Sequence, residues 1–423
     1  MQKDSVRSWM VILLVGVALT ISQMDRMLLS IAAPKMMTDG HMTGTALGIL
    51  LSSFSWTYTL FQLPSGWLVD RFGPKKVLSV AFALWSLSCA ATGLSSLFLF
   101  LIGCRLFLGA FEAPLYAVAH ATMATAFSDR RRALATAIYA KGVSLGPALG
   151  AVIGTYLLLN FGWSHMFFIV GIGSLFFLIP WQIAVPKTLD APAVKKEEFN
   201  WGTTRELLKS RAVWGVSLGY FGFLYLYYIY ATWLPTYLSK ERGMSMQDIA
   251  WLASVPFLIS LVAGPLTGWL ADLLIAKGYS STLVRKTAIG VGLFLGAAII
   301  PAVYAADPAT AAILFVVALA GQAISATNML ALPSAIAPKG HAGFVGSLQQ
   351  MLGAIGGIIS PIVTGIIYDG TKDFRTAIVV AGGMLLLAAF SFLILIRRVE
   401  PIVLGKEDMD SSSISTVTAS ERA

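Results

Sequence analysis

Long apolar runs divide this chain over almost its whole length. We count about twelve, each close to the 20 residues that an α-helix needs to cross a bilayer. They lie at approximately 8–34, 46–69, 77–95, 98–127, 133–159, 165–185, 211–239, 247–271, 287–305, 308–336, 344–369 and 374–397. Hydrophobic residues make up 57% of the chain and charged residues 12%, which is too little charge to cover a soluble protein. The sequence therefore predicts an all-α membrane protein with twelve transmembrane helices.

A short motif occurs once in each half of the chain. GWLVD at 66–70 and GWLAD at 268–272 lie 202 residues apart, and each follows an apolar run. Repeated halves are typical of secondary transporters built from two related bundles. A polar segment separates six runs from six, which predicts bundles at 1–185 and 211–397 and a cytoplasmic linker at 186–210. The Ser- and Thr-rich tail at 398–423 is predicted to be disordered.

Basic residues lie mainly on one side of the predicted membrane. If both termini are cytoplasmic, the inner segments hold 22 Lys and Arg residues, and the outer segments hold only Lys35, Lys240, Arg242, Lys372 and Arg375. The positive-inside rule favours that orientation. Membrane topology thus accounts for the net charge of +9, and no nucleic-acid partner is expected. The short loops are typical of a multi-pass protein of a bacterial inner membrane, and a monomer is expected.

Several chemistries have no support in the sequence. The two cysteines, Cys89 and Cys104, lie in apolar runs, which indicates small buried side chains and neither a disulfide nor a metal site. The sequence has no Walker-type phosphate loop, no HExxH motif and no CxxC pair. We therefore expect no ATP-driven transport, no enzymatic activity and no cofactor.

Five ionisable side chains interrupt the apolar runs of the first half: Asp25, Arg26, Arg105, Glu112 and Lys141. An ionisable group inside a membrane is costly, so each is a functional candidate. The second half has none comparable, which predicts charge coupling in the first bundle and polar or aromatic contacts in the second. Asp25 and Arg26 point about 100° apart on a helix, so one can meet another helix while the other faces a cavity. The alternative is an interhelical salt bridge that only holds the bundle together.

Arg105 and Glu112 lie two helical turns apart and share a face that continues through Tyr116 and His120. Burial in an apolar run favours the neutral form of Glu112, and a nearby cation favours the charged form. Such a carboxyl group can take and release a proton as a cavity opens to either side. A permanently paired carboxylate is the alternative, and His120 is interpreted as a packing or hydrogen-bonding residue.

Polar and aromatic residues mark candidate solute contacts on other runs. Tyr58 and Gln62 lie one turn apart near mid-depth and can hydrogen-bond a hydroxylated solute or pack against neighbouring helices. The seventh run is dense in aromatic residues, some of which belong to an interfacial belt. Its cavity candidates are Tyr227, Tyr228 and Trp233. The amide side chains of Asn328, Gln349 and Gln350 each need a partner, from the protein or from a solute.

The segment GWLVDRFGPKK at 66–76 resembles the loop signature GxxxDRxGxKK of the major facilitator superfamily. This resemblance implies the major facilitator fold, with two pseudo-symmetric six-helix bundles. It also implies that the loop gates the cytoplasmic side. The gating candidates are Gly66, Asp70, Arg71, Gly73, Lys75 and, at the matching place in the second half, Asp272.

More narrowly, nearly the whole chain resembles the anion:cation symporter family, which includes bacterial galactonate, glucarate and hexuronate importers. The resemblance rests on Asp25-Arg26, Phe54–Tyr58 with Gln62, Arg105–Pro114, Trp233–Leu238 and Ser360–Gly365. In similar importers the arginine matching Arg26 holds the substrate carboxylate, and the tyrosine matching Tyr58 contacts substrate. The acids matching Asp25 and Glu112 take part in proton coupling.

Two features of the fifth run have two interpretations each. Lys141 can be a second cationic anchor for a dicarboxylate, or its stem can extend to the cytoplasmic boundary, which we favour. Glycines recur every fourth residue from Gly142 to Gly154, and the segment 146–150, GPALG, resembles part of an antiporter motif. Close helix packing explains these glycines equally well.

These observations predict a symporter that imports a small organic anion, a sugar acid or another carboxylate, together with protons. Arg26 anchors the carboxylate, and Asp25, Glu112 and Arg105 couple the protons. The other expected substrate contacts are Tyr58, Gln62, Tyr116, Tyr227, Tyr228, Trp233, Asn328, Gln349 and Gln350. An organic anion exchanger or exporter of the same fold is the alternative, and a non-transporting membrane sensor is a more distant one.

Overall fold

A computed structural model describes residues 4–39, 42–186, 201–338 and 341–402, and within these ranges the regular secondary structure is helical. The first half contains α1 (Val6–Asp39), α2 (Gly44–Phe72), α3 (Pro74–Thr92), α4 (Phe98–Glu112), α5 (Pro114–Ala126), α6 (Asp129–Tyr139), α7 (Gly142–Ser174) and α8 (Leu178–Ala184). The second half contains α10 (Arg211–Lys240), α11 (Met246–Ala276), α12 (Ser281–Gly296), α13 (Ile299–Tyr304), α14 (Pro308–Ile336), α15 (Ala342–Thr371) and α16 (Arg375–Phe390). Between the halves lies α9 (Trp201–Lys209).

Every predicted apolar run coincides with one helix or with two successive helices. Nine stretches of the described residues are long and apolar enough to cross a membrane, and one of them, Leu134–Ala184, contains two of the predicted runs. The predicted all-α membrane fold is therefore confirmed. The short helix α9 occupies part of the predicted linker. Most of that linker and the tail from 403 onward lie outside the described residues.

Local sequence decides where several helices begin, break and end. Thr43 caps α2 by accepting a hydrogen bond from the Ala46 N–H at 3.1 Å. Gly73, whose φ of +85° suits glycine, follows the last residue of α2. Pro114 lacks an N–H and interrupts the run at 98–127 directly after Glu112. As a result Glu112 lies at the end of a helix in the middle of an apolar run.

The glycines of α7 lie against α1. A Cβ atom at Gly146 would lie 2.5 Å from the Thr20 carbonyl oxygen, and one at Gly142 would lie 2.8 Å from the Gly16 carbonyl oxygen. Only glycine lets the two backbones approach this closely. Close packing therefore accounts for the glycine face of the fifth run.

The two halves meet along three main helix pairs: α1 with α10, α2 with α15, and α7 with α11. Helix α2 runs from one end of the molecule to the other, so we call these ends the Gly44 end and the Phe72 end. The functional candidates predicted within the apolar runs lie between them.

Candidate functional site

Glu112 lies against α1, where its carboxylate is fully buried. Its Oε2 atom accepts hydrogen bonds from Ser22 Oγ at 2.7 Å, from Arg26 Nε at 3.0 Å and from Arg26 Nη2 at 2.9 Å. Its Oε1 atom has no hydrogen-bond partner among the described residues. The Arg26 side chain is 23% exposed, so this ion pair joins a buried carboxylate to a partly exposed guanidinium.

Asp25 occupies a different face of α1 from Arg26 and is fully buried. Neither of its carboxylate oxygens has a hydrogen-bond partner among the described residues, and the same holds for Nε and Nη2 of Arg105. The Arg105 guanidinium lies 5.4 Å from the centre of the Phe167 ring. Each of the two carboxylates interacts electrostatically with both arginines. The first half thus holds a cluster of two acids and two arginines.

A cavity lies between the two halves, beside this cluster. Its polar lining residues are Gln23, Arg26, Ser30, Ser55, Arg105, Tyr227, Tyr228 and Thr232, and its apolar lining includes Met27, Leu51, Phe54, Pro147 and Phe257. The cavity can hold a small solute, and both of its cationic lining residues come from the first half.

The predicted contacts of the first half are distributed unequally around this cavity. The Tyr58 ring centre lies 4.6 Å from the Arg26 Cζ atom, which places the tyrosine directly beside the ion pair. Tyr116 follows one turn after Glu112, is half-buried and interacts electrostatically with Tyr58 and Arg26. Gln62 is exposed on α2, one turn beyond Tyr58 toward the Phe72 end, and does not line the cavity.

In the second half the structure brings Tyr227 and Tyr228 to the cavity but not Trp233. Trp233 lies five residues after Tyr228, which turns it about 140° around α10. Its Nε1 donates to the Pro361 carbonyl at 3.2 Å, and its ring lines a separate aromatic cavity with Tyr237 and Phe374 inside the second half. Trp233, a predicted cavity contact, therefore does not line the cavity between the halves in this conformation.

The three predicted amides also lie away from the cavity lining. Asn328 is buried, and its Nδ2 donates to the Ile324 carbonyl of its own helix at 3.3 Å. Gln349 is buried and donates to the Met329 carbonyl at 3.1 Å, an oxygen that Pro333, four residues later, leaves without a helical donor. Gln350 is exposed. Protein groups thus account for at least part of the hydrogen bonding of Asn328 and Gln349.

Several residues at the site were not predicted from the sequence. Ser22 binds Glu112, and Gln23, Ser30, Ser55 and Thr232 line the cavity. Phe54 lines the cavity and packs its ring against Arg26. Ser22 lies four residues before Arg26, and Phe54 four before Tyr58, so the one-turn spacing on a helix could have identified both.

Hydrogen bonds between the halves close the Gly44 end. The Asp369 carboxylate of α15 accepts from the Gly44 N–H at 2.8 Å, from the Thr45 N–H at 2.7 Å and from Thr45 Oγ1 at 2.6 Å, at the start of α2. Lys240 Nζ donates to Thr38 Oγ1 at 2.6 Å. A Cβ atom at Gly48 would collide with the Pro361 carbonyl oxygen. The two halves are therefore in direct backbone contact here.

Further hydrogen bonds join the halves near the cavity. Ser30 Oγ donates to the Ala231 carbonyl at 2.7 Å, and Lys141 Nζ donates to the Leu261 carbonyl at 2.7 Å. Pro235 and Pro265 lie four residues after these carbonyls and so remove their normal helical donors. The expected extension of Lys141 to the membrane boundary is wrong in this structure, because its ammonium group binds a carbonyl of the opposite half.

The predicted gating residues lie at the Phe72 end, around the turns from α2 to α3 and from α11 to α12. The Arg71 guanidinium lies 5.1 Å from the Trp67 ring centre, and Asp70 is exposed. A Cβ atom at Gly66 would meet nothing within 4 Å. Lys75 donates to the Gln182 carbonyl at 2.9 Å and so ties α3 to α8. In the second half Asp272 lies 3.5 Å from Arg285.

The statistical model of the Major Facilitator Superfamily matches residues 15–361 and 248–416. The chain belongs to the major facilitator superfamily. Members of this superfamily are membrane transporters, which are generally not enzymes, and the two-half helical structure has the major facilitator fold. A solved bacterial homologue of the human lysosomal transporter Spinster, in an inward-facing and unoccupied conformation, superimposes with a TM-score of 0.78 at 17% sequence identity. The match covers 93% of this chain and 98% of that one.

Curated relatives within the superfamily match almost end to end. The chain is 28% identical to a probable galactarate/D-glucarate transporter of Bacillus subtilis, over 97% of this chain and 96% of the relative. It is 30% identical to a D-galactonate transporter of Escherichia coli O6:H1, over 95% and 98%. It is also 30% identical to a hexuronate transporter of Bacillus subtilis, over 93% and 95%.

Proposed function

We propose that this major facilitator protein imports a small organic anion, a sugar acid or a related carboxylate, by proton symport. The observation that carries the proposal is the Arg26–Glu112 pair, in which a base at the cavity is held by a buried acid. The relatives named as galactarate/D-glucarate, D-galactonate and hexuronate transporters support the substrate class. No cofactor is required for this activity.

Arg26 is the proposed anchor for the carboxylate. A guanidinium presents several N–H groups in a fixed plane and can bind a carboxylate through two parallel hydrogen bonds. Arg26 lines the cavity, where the side chains of Tyr227, Tyr228, Ser55 and Thr232 can hydrogen-bond the hydroxyl groups of a sugar acid. Arg26 therefore offers a strong site for the carboxylate charge, and these side chains offer weaker sites for the hydroxyl groups.

Binding of the anion and of a proton are proposed to be linked through Glu112. The Glu112 carboxylate and a substrate carboxylate compete for the same guanidinium. When Glu112 takes up a proton, its charge-assisted bonds to Arg26 weaken, and Arg26 becomes available to the substrate. Loss of that proton restores the ion pair and expels the anion.

Asp25 and Arg105 are proposed to take part in the same linkage between anion binding and proton binding. The cluster of two acids and two arginines is neutral when all four groups are charged. An added carboxylate makes it negative, and uptake of one proton by Asp25 or Glu112 restores neutrality. Because both acids are fully buried, an uncompensated charge there is costly. Proton uptake is thereby favoured whenever the anion is bound.

Transport is proposed to proceed by rocking of the two halves around the cavity. The Gly44 end is closed by the Asp369 carboxylate on the start of α2. The excess of Lys and Arg at the opposite side supports a cytoplasmic location for the Phe72 end and for both termini, in a bacterial cell. The conformation described above is then closed to the outside. A monomer in the inner membrane, with lipid and protons as its other partners, suffices for this cycle.

The proposal is tested with purified protein in liposomes to which sugar acids, monocarboxylates and dicarboxylates are added in turn. Substrate-dependent alkalinisation outside, lost in Arg26→Ala and kept in the control Arg211→Ala on an exposed helix start, is the expected result. Exchange of labelled anion without any proton movement would instead establish an anion exchanger. If no compound caused proton movement or anion exchange, both transport functions would be contradicted.

A further inference from the structure

Arg26 has two kinds of partner, a carboxylate and a pair of aromatic rings. Glu112 is the first kind. The second is formed by the rings of Phe54 and Tyr58, whose centres lie 4.3 Å and 4.6 Å from the Arg26 Cζ atom. We propose that Phe54 is a positioning residue that holds the Arg26 guanidinium at the cavity while Glu112 is protonated, an inference that rests on the proposed symport.

The two rings form one continuous platform beneath the guanidinium. Phe54 and Tyr58 are stacked, with ring centres 5.2 Å apart and an angle of 25° between their planes. Phe54 is only 6% exposed, and it is itself part of the cavity lining. Because the rings lie against the guanidinium, its N–H edges can remain free to meet a carboxylate.

The backbone that carries the platform is fixed to α4, the helix that ends with Glu112. Thr57 Oγ1 donates to the Leu106 carbonyl at 2.6 Å. A Cβ atom at Gly109 would collide with the Phe54 carbonyl oxygen, so α2 and α4 are in backbone contact beside Phe54. The ring therefore keeps its position when the ion pair between Arg26 and Glu112 opens.

Protonation of Glu112 would otherwise leave Arg26 without a defined orientation. An arginine side chain is long and flexible, and ordering it again for each substrate molecule would weaken binding. The attraction between a cation and a ring does not depend on the protonation of Glu112. The two rings thus hold the guanidinium at the cavity while Glu112 is protonated, which is when the proposed cycle requires Arg26 to bind the substrate.

The test compares Phe54→Leu with Phe54→Tyr and with Phe61→Leu, an exposed phenylalanine of the same helix. The probe is whichever of D-galactonate, D-glucarate and D-glucuronate the native protein exchanges best, and the KM and maximal rate of exchange are measured in liposomes. Phe54→Leu should raise KM about 5- to 30-fold, whereas the other two changes should raise it less than about 3-fold. Phe54→Met replaces the leucine variant if that protein does not fold.

A double-mutant cycle separates positioning from packing. In a Glu112→Gln background Arg26 loses its charge-assisted bonds and depends more on the rings, so Phe54→Leu should raise KM by a factor at least about three times larger than in the native background. Equal factors in both backgrounds, or a native KM for Phe54→Leu, would overturn the role of Phe54. The Arg26→Ala variant separates an error about Phe54 from failure of the proposed function. If Arg26→Ala exchanged the anion at the native rate, Arg26 would not be the carboxylate anchor.

Discussion

The two halves of this transporter share one fold but bring different chemistry to the cavity between them. The first half supplies Asp25, Arg26, Arg105 and Glu112 as a compact charged cluster. The cavity lining from the second half, among the described residues, contains no acidic or basic side chain, and its polar groups are Tyr227, Tyr228 and Thr232. Charge changes can therefore occur in one half while the other keeps a constant, neutral surface.

The second half also contributes backbone carbonyls. Pro235, Pro265 and Pro333 each leave the carbonyl four residues earlier without a helical donor. Ser30 and Lys141 of the first half bind two of these oxygens, and Gln349 of the second half binds the third. The first half thus holds the ionisable side chains of the cluster, and the second half offers backbone carbonyls to polar donors such as Ser30 and Lys141.

Replacing Glu112, an acid of the charged half, by glutamine should have the largest effect on transport. The amide keeps the shape but cannot take up a proton, so accumulation driven by an imposed pH gradient should be lost completely. Exchange of labelled anion should persist within about tenfold of the native rate. Liposome uptake and counterflow measure the two quantities, with Glu400→Gln, an exposed acid, as the control. Unchanged accumulation would remove Glu112 from the coupling mechanism.

Gly48→Leu tests whether the halves must meet as closely as they do here. A side chain at this position collides with the Pro361 carbonyl oxygen, so the Gly44 end should fail to close. Net transport should fall by at least about tenfold, and a cysteine at Ser55 should react with an impermeant maleimide from outside. Gly173→Leu is the control, since a Cβ there meets nothing within 4 Å. Native transport by Gly48→Leu would show that this contact is dispensable.

Tyr228→Phe tests the proposal that the first half supplies the charges and the second half supplies neutral hydrogen bonds to the solute. Loss of one hydroxyl group that binds the solute should raise KM about 3- to 10-fold, while the number of protons carried per anion stays the same. Tyr225→Phe, a buried tyrosine of the same helix, is the control. A change in proton stoichiometry on losing the Tyr228 hydroxyl would mean that the second half takes part in coupling.

Lys141→Met should have the smallest effect. The change leaves the Leu261 carbonyl without its donor but keeps the apolar stem, so we expect transport rates to change no more than about 2- to 3-fold. The KM values for D-glucarate and D-galactonate should change together. A selective rise in KM for the dicarboxylate would show instead that Lys141 is a second anchor for the anion. Lys35→Met, an exposed lysine, is the control.

The fold and the charged cluster could be predicted from the sequence, because ionisable residues are conspicuous within apolar runs. The neutral contacts could be predicted only in part. Trp233 and Gln62 lie away from the cavity because the rotation of a helix against its neighbours depends on packing that no single run encodes. Phe54 was missed as a site residue because a phenylalanine in an apolar run looks like lipid-facing or core packing. Its proposed role is inferred from the distance between its ring and the Arg26 guanidinium.

The charged pair of neighbours in α1 also constrains how the protein is made. Asp25 and Arg26 emerge from the ribosome before Glu112, which follows Arg26 by 86 residues. Each charge costs about 2.5–3.5 kcal/mol at the centre of an inserting helix. The otherwise apolar α1 must therefore carry this cost until α4 is made and Glu112 can pair with Arg26.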